Sequence, residues 1–355
     1  MNFLTILIAL LAFGFLIFVH ELGHYIAARL TGIKVYEFSI GMGPKLIWYD
    51  SKKTGIRYKI CMLPLGGYVS MADGEDESAP SSDPRAFSNQ KPWKRLIVTI
   101  AGGTVNLIVG FLLMLAVVLG STMTTTVVAD FPPDLTISES STESFGLQSG
   151  DEIISVGGRR VHTALEMDYE IMRRGIAPLE VIVLRDTDGD GRRESRIPLT
   201  VTFPQENTEG QILGTRDFRV YAGEKTLGSV INETFYRSTC LVRMVWESLF
   251  DLITGRYGIE AVSGPIGITG SVGEAVSYGI VPFLYLVAMI SINLGVLNLI
   301  PLPALDGGRT FFILIEMIFR KPVPREIEAK IHGVGLMLLL LFSLFVAFMD
   351  VKSFF

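Results

Sequence analysis

The sequence is 355 residues long, 49% hydrophobic and 19% charged, with a mean hydropathy of +0.43 and a net charge of −5. Those values exclude a water-soluble domain as the whole chain and point to a membrane protein, while the mild, dispersed charge excludes a nucleic-acid partner and a solvated acidic arm. Two cysteines, Cys61 and Cys240, are too few for a disulfide framework and read as free thiols.

Four windows are free of charged residues over a length that matters: 1–19, 96–129, 275–305 and 333–349. A helix needs about 20 apolar residues to cross a bilayer, so each window predicts a span. The first is not a cleaved leader, because no Lys or Arg precedes its apolar core and that core exceeds the roughly 7 to 15 residues of a leader. Between the first two spans, residues 33–69 alternate β-branched and aromatic residues with Gly and Pro, which predicts strands and turns. The stretch ADGEDESAPSSDP that follows reads as a flexible polar loop. Lys91, Lys94 and Arg95 before the second span, and Arg320, Lys321, Arg325 and Lys330 between the third and fourth, place those two loops in the cytoplasm. The long segment from about residue 120 to 276 then lies outside.

That outer segment carries FGLQSGDEIISVGGRRV, a helix pattern over 164–174, then LEVIVLRD and SRIPLTVTF. The order predicts strand, helix, strand, hairpin, strand, enough for a small domain with its own core. GLQSGD followed by IISVGG resembles the GLxxGD segment of bacterial PDZ domains, which bind an extended peptide along a sheet edge. DTDGDG at 186–191 has the start of a calcium loop, but its twelfth position is Ile197 where an EF-hand needs a bidentate Glu, so a hairpin turn is expected. In NETFYRSTCLVRMVWESLFDLITGR, Arg243, Glu247 and Asp251 fall at four-residue steps opposite Val242, Val245, Trp246, Leu249 and Ile253. This is an amphipathic helix, expected on the membrane surface or against the protein.

The chemistry sits at the end of the first span. His20, Glu21 and His24 form HExxH, and residues i and i+4 share a helix face, so both imidazoles can reach one metal with Glu21 beside them. Ionisable groups at membrane depth cost about 2.5 to 3.5 kcal/mol each and are there by default for function. A catalytic zinc takes three protein ligands and keeps one position open. Asp306 in NLIPLPALDGGR is the acid available at the end of the third window, among prolines and glycines that break the helix, and it lies at the same cytoplasmic depth. His162 and His332 accompany no second ligand and read as surface or headgroup residues.

Taken together, HELGH in a first span, AGGTVN opening the apolar run of a second and NLIPLPALDGG near the end of a third resemble the site-2 protease family of intramembrane zinc metalloproteases. The layout is most similar to its bacterial regulator-of-sigma-E branch. The resemblance implies zinc on His20, His24 and Asp306, Glu21 as the general base, and Asn298 holding the substrate near the metal, with Asn293 as a second candidate. It also implies that the strand-rich insertion at 35–69 pairs with the substrate. The expected fold is a polytopic α-helical membrane protein with four transmembrane helices, a membrane-associated β-hairpin region and one extracytoplasmic PDZ domain (α+β). The expected divisions are a first span at 1–30, a cytoplasmic-side β region at 31–92, a second span at 93–120 and a PDZ domain at 121–206. An amphipathic helix and linker follow at 207–274, then a third span with the LDG motif at 275–320 and a fourth span at 331–350. The implied location is the bacterial inner membrane, with the active site toward the cytoplasm. The implied partners are the lipid bilayer, single-span substrates such as anti-sigma factors or remnant signal peptides, and peptide or protein tails at the PDZ domain. Two departures stand out: one PDZ domain where close members often carry two, and Gly103 where the second-span motif usually has Pro. Two competing readings are a non-proteolytic scaffold with a structural metal, which would want four protein ligands, and a metal transporter with an intramembrane relay.

Overall fold

Lipid offers no partner to a backbone N–H or C=O, so an apolar run that enters it must satisfy its own hydrogen bonds as helix. In the computed structural model, which describes residues 3–71, 83–132, 142–208, 211–256 and 264–353, the apolar windows obey this rule. In chain order the elements are α1 (Phe3–Thr31), β1 (Val35–Asp50), β2 (Arg57–Met71), α2 (Pro92–Gly120), β3 (Thr124–Asp130), β4 (Glu152–Val156), β5 (Arg159–Arg160), α3 (Ala164–Arg174), β6 (Leu179–Arg185), β7 (Ser195–Val201), β8 (Gln205–Thr208), β9 (Gln211–Gly214), β10 (Arg219–Ala222), α4 (Leu227–Thr254), α5 (Pro265–Tyr278), α6 (Ile280–Leu299), α7 (Asp306–Phe319) and α8 (Arg325–Ser353). Among the described residues α1, α2, α6 and Arg325–Lys352 of α8 are long and apolar enough to cross a membrane. The chain is a multi-pass membrane protein with mixed helix and sheet. It divides into two units, residues 1–113 with 252–355, and residues 114–251.

In the first unit, α5 packs on α1, α6 and α8. Asp350 of α8 accepts hydrogen bonds from the backbone N–H groups of Gly264, Ile266 and Gly267 at 3.0, 3.1 and 3.0 Å, capping the start of α5. Helices α2 and α6 approach backbone to backbone: a methyl on Gly103 would stand 3.0 Å from Gly295 O, and one on Gly110 would run into the Ile292 side chain. Small residues at a crossing are how helices pack where no hydrophobic effect drives them together. The window expected to form a third span is not one helix. Gly279, at φ 118°, divides α5 from α6, and Pro301 and Pro303 end α6 before the turn into α7. The window at 96–129 likewise leaves the helix at Gly120 and enters β3.

β1 and β2 are long, bent strands whose register is doubled. Phe38, Ser39 and Ile40 pair with Val69, Tyr68 and Gly67 on one side and with Tyr58, Lys59 and Ile60 on the other, while Trp48 and Tyr49 pair with Lys59 and Tyr58. Two strands thus make four ranks, and the segment 67–71 is an edge rank. The expected polar loop falls, for residues 72–82, outside the described residues.

The second unit is a six-stranded antiparallel sheet in the order β10-β3-β4-β6-β7, with β5 on β4, and a separate β8–β9 pair. Its core is apolar: Val128, Leu147, Ile153, Met167, Val181, Val183, Phe203 and Phe218 are all at most 2% exposed. Helix α3 starts with a capping box, in which Thr163 Oγ1 accepts from Glu166 N at 3.2 Å and Glu166 Oε2 accepts from His162 N at 2.8 Å. The amphipathic helix is α4, longer than expected, and its charges are paired within this unit rather than turned to lipid. Arg243 meets Glu170 at 2.9 Å, while Glu247 and Asp251 meet Arg173 at 3.0 and 2.8 Å. DTDGDG is the turn between β6 and β7, where Asp186 accepts from Gly189 N and Gly191 N at 2.7 and 2.8 Å. Both cysteines are free and buried, and burial pushes the Cys240 thiol up to about 11, which leaves it unreactive.

Candidate metal centre

Helix α1 runs unbroken through HELGH, so the geometry expected of an i, i+4 pair is realised. The Nε2 atoms of His20 and His24 lie 3.1 Å apart, and each lies 3.0 Å from Asp306 Oδ2. The three side chains are 12%, 10% and 24% exposed, although 282 positions separate His24 from Asp306. His24 Nδ1 donates to Val98 O at 2.8 Å, which leaves the Nε2 lone pair facing the cluster. Two imidazole nitrogens and a carboxylate this close repel one another unless a cation or a proton sits among them. A tetrahedral zinc with bonds of about 2.0–2.1 Å spaces its ligand atoms by roughly 3.3 Å, close to the spacing seen. The donor set is therefore three borderline-hard N and O atoms with an open side, which fits zinc.

Space for the imidazoles comes from α2. A methyl on Gly102 would lie 2.6 Å from His20 Cε1 and 2.8 Å from His20 Nε2, and would also overlap His24 Nε2. Only glycine leaves room there. The turn that presents Asp306 is equally tight. Ala304 sits at φ 73° in the left-handed region, and its N–H donates to His332 Nδ1 of α8 at 3.0 Å. Gly307 and Gly308 let the first turn of α7 rest on the backbone of the preceding loop, since a methyl at Gly307 would overlap Ile300 O and one at Gly308 would stand 2.5 Å from Leu302 O. The motif LDGG is thus a steric requirement for placing one carboxylate.

Glu21 lines the same cavity of about 410 Å³ as His20, His24 and Asp306. Its carboxylate accepts the backbone N–H of Val69. Tyr68, Val69, Ser70 and Met71, from the edge rank of the β region, form another wall of that cavity. Asn298 is half-buried near the end of α6 and Asn293 is exposed one turn and more before it. Neither is among the residues lining the cavity.

Four features of this neighbourhood had not been anticipated. His332 is a hydrogen-bond acceptor under the Asp306 turn, not a headgroup residue. Gly102 is the seat of the imidazoles. Asn106 is fully buried, and its side-chain amide has no partner among the described residues, while its backbone oxygen accepts from Ser291 Oγ at 2.8 Å. Arg95 and Glu316 form an ion pair of 2.7 Å. AGGTVN carried a visible signal for the second and third of these, as an amide and paired glycines within an apolar helix.

Comparison with known proteins follows the same outline. The sequence profile of peptidase family M50 matches residues 8–342. A protein of Clostridium perfringens that carries the name "Putative zinc metalloprotease" is 34% identical, over 98% of this chain and 98% of its own length. One of the same name in Clostridium acetobutylicum is 32% identical over 99% of this chain and 98% of its own. The zinc metalloprotease RasP of Geobacillus kaustophilus is 29% identical over 99% and 98%. A profile matched along nearly the whole chain, two end-to-end relatives above 30% identity and a His–His–Asp cluster joined across 282 positions lead to one conclusion: the chain belongs to peptidase family M50, the site-2 protease family that its HELGH and LDGG segments resemble.

Proposed function

We propose that this protein is an intramembrane zinc metalloendopeptidase in which His20, His24 and Asp306 hold the metal and Glu21 is the general base. The observation that carries the reading is the convergence of these four side chains on one cavity among apolar helices. Zinc, when bound, supplies the Lewis acidity that makes a water nucleophilic near neutral pH and polarises the scissile carbonyl. Glu21 takes the proton released by the attacking water and returns it to the leaving amine, which keeps the balance of charge within the cavity. The Val69 N–H orients the Glu21 carboxylate for both transfers.

A substrate helix hides its carbonyls in its own hydrogen bonds and must unwind to be cut, leaving backbone groups without partners in lipid. The edge rank 67–71 on the cavity wall supports the reading that the unwound segment adds to this sheet as a further strand. Asn298, with Asn293 as the second candidate, is assigned to holding the substrate from the α6 side. The second unit is read as a PDZ domain. Support comes from the GLQSGD turn, where buried Asp151 pairs with Arg185 at 2.7 Å, and from a cavity of about 280 Å³ between α3 and residues 214–216 that would take a peptide or protein tail. The charge asymmetry of the loops supports a bacterial inner-membrane location, with the metal centre toward the cytoplasm and the second unit outside. The substrates would then be single-span proteins of the anti-sigma-factor or remnant-signal-peptide kind.

The test is Glu21→Gln on the purified protein with a single-span substrate in detergent. Zinc stays bound at wild-type stoichiometry, while cleavage falls by about 10²- to 10⁴-fold, the range for losing a general acid–base. Undiminished cleavage would refute the assignment.

A further inference from the structure

The donors of the metal centre come from two helices far apart in the sequence, α1 and α7, and α2 touches both. Val98 O of α2 receives the Nδ1–H of His24 at 2.8 Å. Arg95, one turn earlier on α2, donates from Nη1 to Glu316 Oε2 of α7 at 2.7 Å, and the two side chains are 14% and 17% exposed. The Arg95 guanidinium also lies 5.4 Å over the ring of Phe87, which lines the catalytic cavity. We infer that the Arg95–Glu316 ion pair is a positioning device that holds Asp306 in register with His20 and His24, so that zinc affinity depends on it.

The reason lies in where α7 is packed. Gly307, Gly308 and Ile313 are buried and the Phe312 ring lies 5.8 Å from that of His332, all in its first eight positions, while Ile318 and Phe319 at its far end are 73% and 69% exposed. A helix packed mainly at one end can tilt on its neighbours. Glu316 stands ten residues past Asp306, about 15 Å along a stiff helix, and a pin there fixes the direction in which the first turn points. Metal ligands must hold their positions to within about 0.2 Å. His332 steadies the turn before Asp306, and the ion pair steadies the helix after it. With the two side chains only 14% and 17% exposed, separating the pair leaves a largely desolvated charge unmatched, so α7 is held against α2 with more force than an exposed pair would provide. The contact is through one guanidinium nitrogen, so the charge, not a two-pronged fork, is what matters.

The inference rests on the metal-centre reading, and the experiment separates the two. Zinc affinity is measured on the full-length protein in detergent by competition with a chromogenic chelator, and the metal-free forms are melted alongside. Glu316→Gln and Arg95→Ala each weaken zinc binding by about 10- to 100-fold, the range found for groups that orient metal ligands. The reversed pair R95E/E316R and the charge-keeping Arg95→Lys return it to near the wild-type value. Single variants that bind zinc as the wild type does overturn the inference. So does a lysine variant, or a folded reversed pair, that stays as weak as Arg95→Ala. Asp306→Ala is the control: if it loses zinc while the ion-pair variants do not, the positioning role alone fails. If it keeps wild-type affinity, the metal-centre reading fails and the inference falls with it.

Discussion

The two units differ in where they put their bulky apolar residues. In the first, many of them face outward, as with Leu344 at 69% and Phe348 at 65% exposure, and close helix contacts are made by Gly103, Gly110 and Gly295. In the second, Phe203, Phe218 and Met167 form a buried core with the apolar residues of the sheet. The difference follows from the solvent. Water drives large apolar groups inward, whereas lipid is indifferent to them and leaves packing, small residues and polar contacts to hold helices together. Buried charge differs in the same way. The second unit pairs its carboxylates with arginines, as in Asp151 with Arg185 and Glu170 with Arg174 and Arg243. At the metal centre of the first unit, Asp306 meets two imidazoles instead of an arginine, an arrangement that asks for a metal.

The comparison can be broken by substitution, and the largest effect falls in the second unit. Phe218→Ala opens a cavity in a core that water has packed, and costs about 3–5 kcal/mol of that unit's stability without changing zinc content. Denaturant unfolding alongside metal analysis checks both halves. Gly102→Ala comes next. A methyl there displaces the imidazoles and weakens zinc binding by about 10- to 100-fold, or about 1.4–2.7 kcal/mol, comparable to losing an orienting contact. A Gly102→Ala variant that keeps wild-type affinity would mean that the imidazoles can shift without loss. Asp350→Ala removes the cap on α5 and lowers the melting stability of the first unit by about 0.5–2 kcal/mol. The smallest effect belongs to Leu344→Ala, below about 0.5 kcal/mol in detergent, because that side chain is 69% exposed and meets few protein atoms. A loss there as large as that of Phe218→Ala would erase the contrast between the units.

Much of this was legible before any coordinates. Hydropathy alone marks the spans, because a bilayer selects on length and composition and on little else. HELGH declares its geometry because i and i+4 share a face in any α-helix, and the placement of Arg243, Glu247 and Asp251 on one side of α4 was visible as four-residue steps, though not their partners Glu170 and Arg173. The Asp306 turn was visible as a helix break, but its hold by His332 was not, since a lone histidine at a span end has many uses and its partner is a backbone N–H 28 positions away. The third span was drawn too long for a related reason. Hydropathy does not register a glycine at φ 118° or the turn in which a left-handed Ala304 follows Pro303.

What the sequence by itself determined is the inventory: four spans, a strand-rich insertion, a soluble-type unit and three ionisable residues too costly to place in a membrane idly. These follow from local rules of composition, periodicity and charge. What only the tertiary structure decided is who meets whom: Asp306 with the histidines, Gly102 beneath them, the edge rank 67–71 across from Glu21, and Arg95 with Glu316 over 221 positions. Those contacts depend on how helices cross and where a turn of six residues aims a carboxylate. No spacing along the chain encodes such distances, because they are set by packing between segments that the sequence keeps far apart.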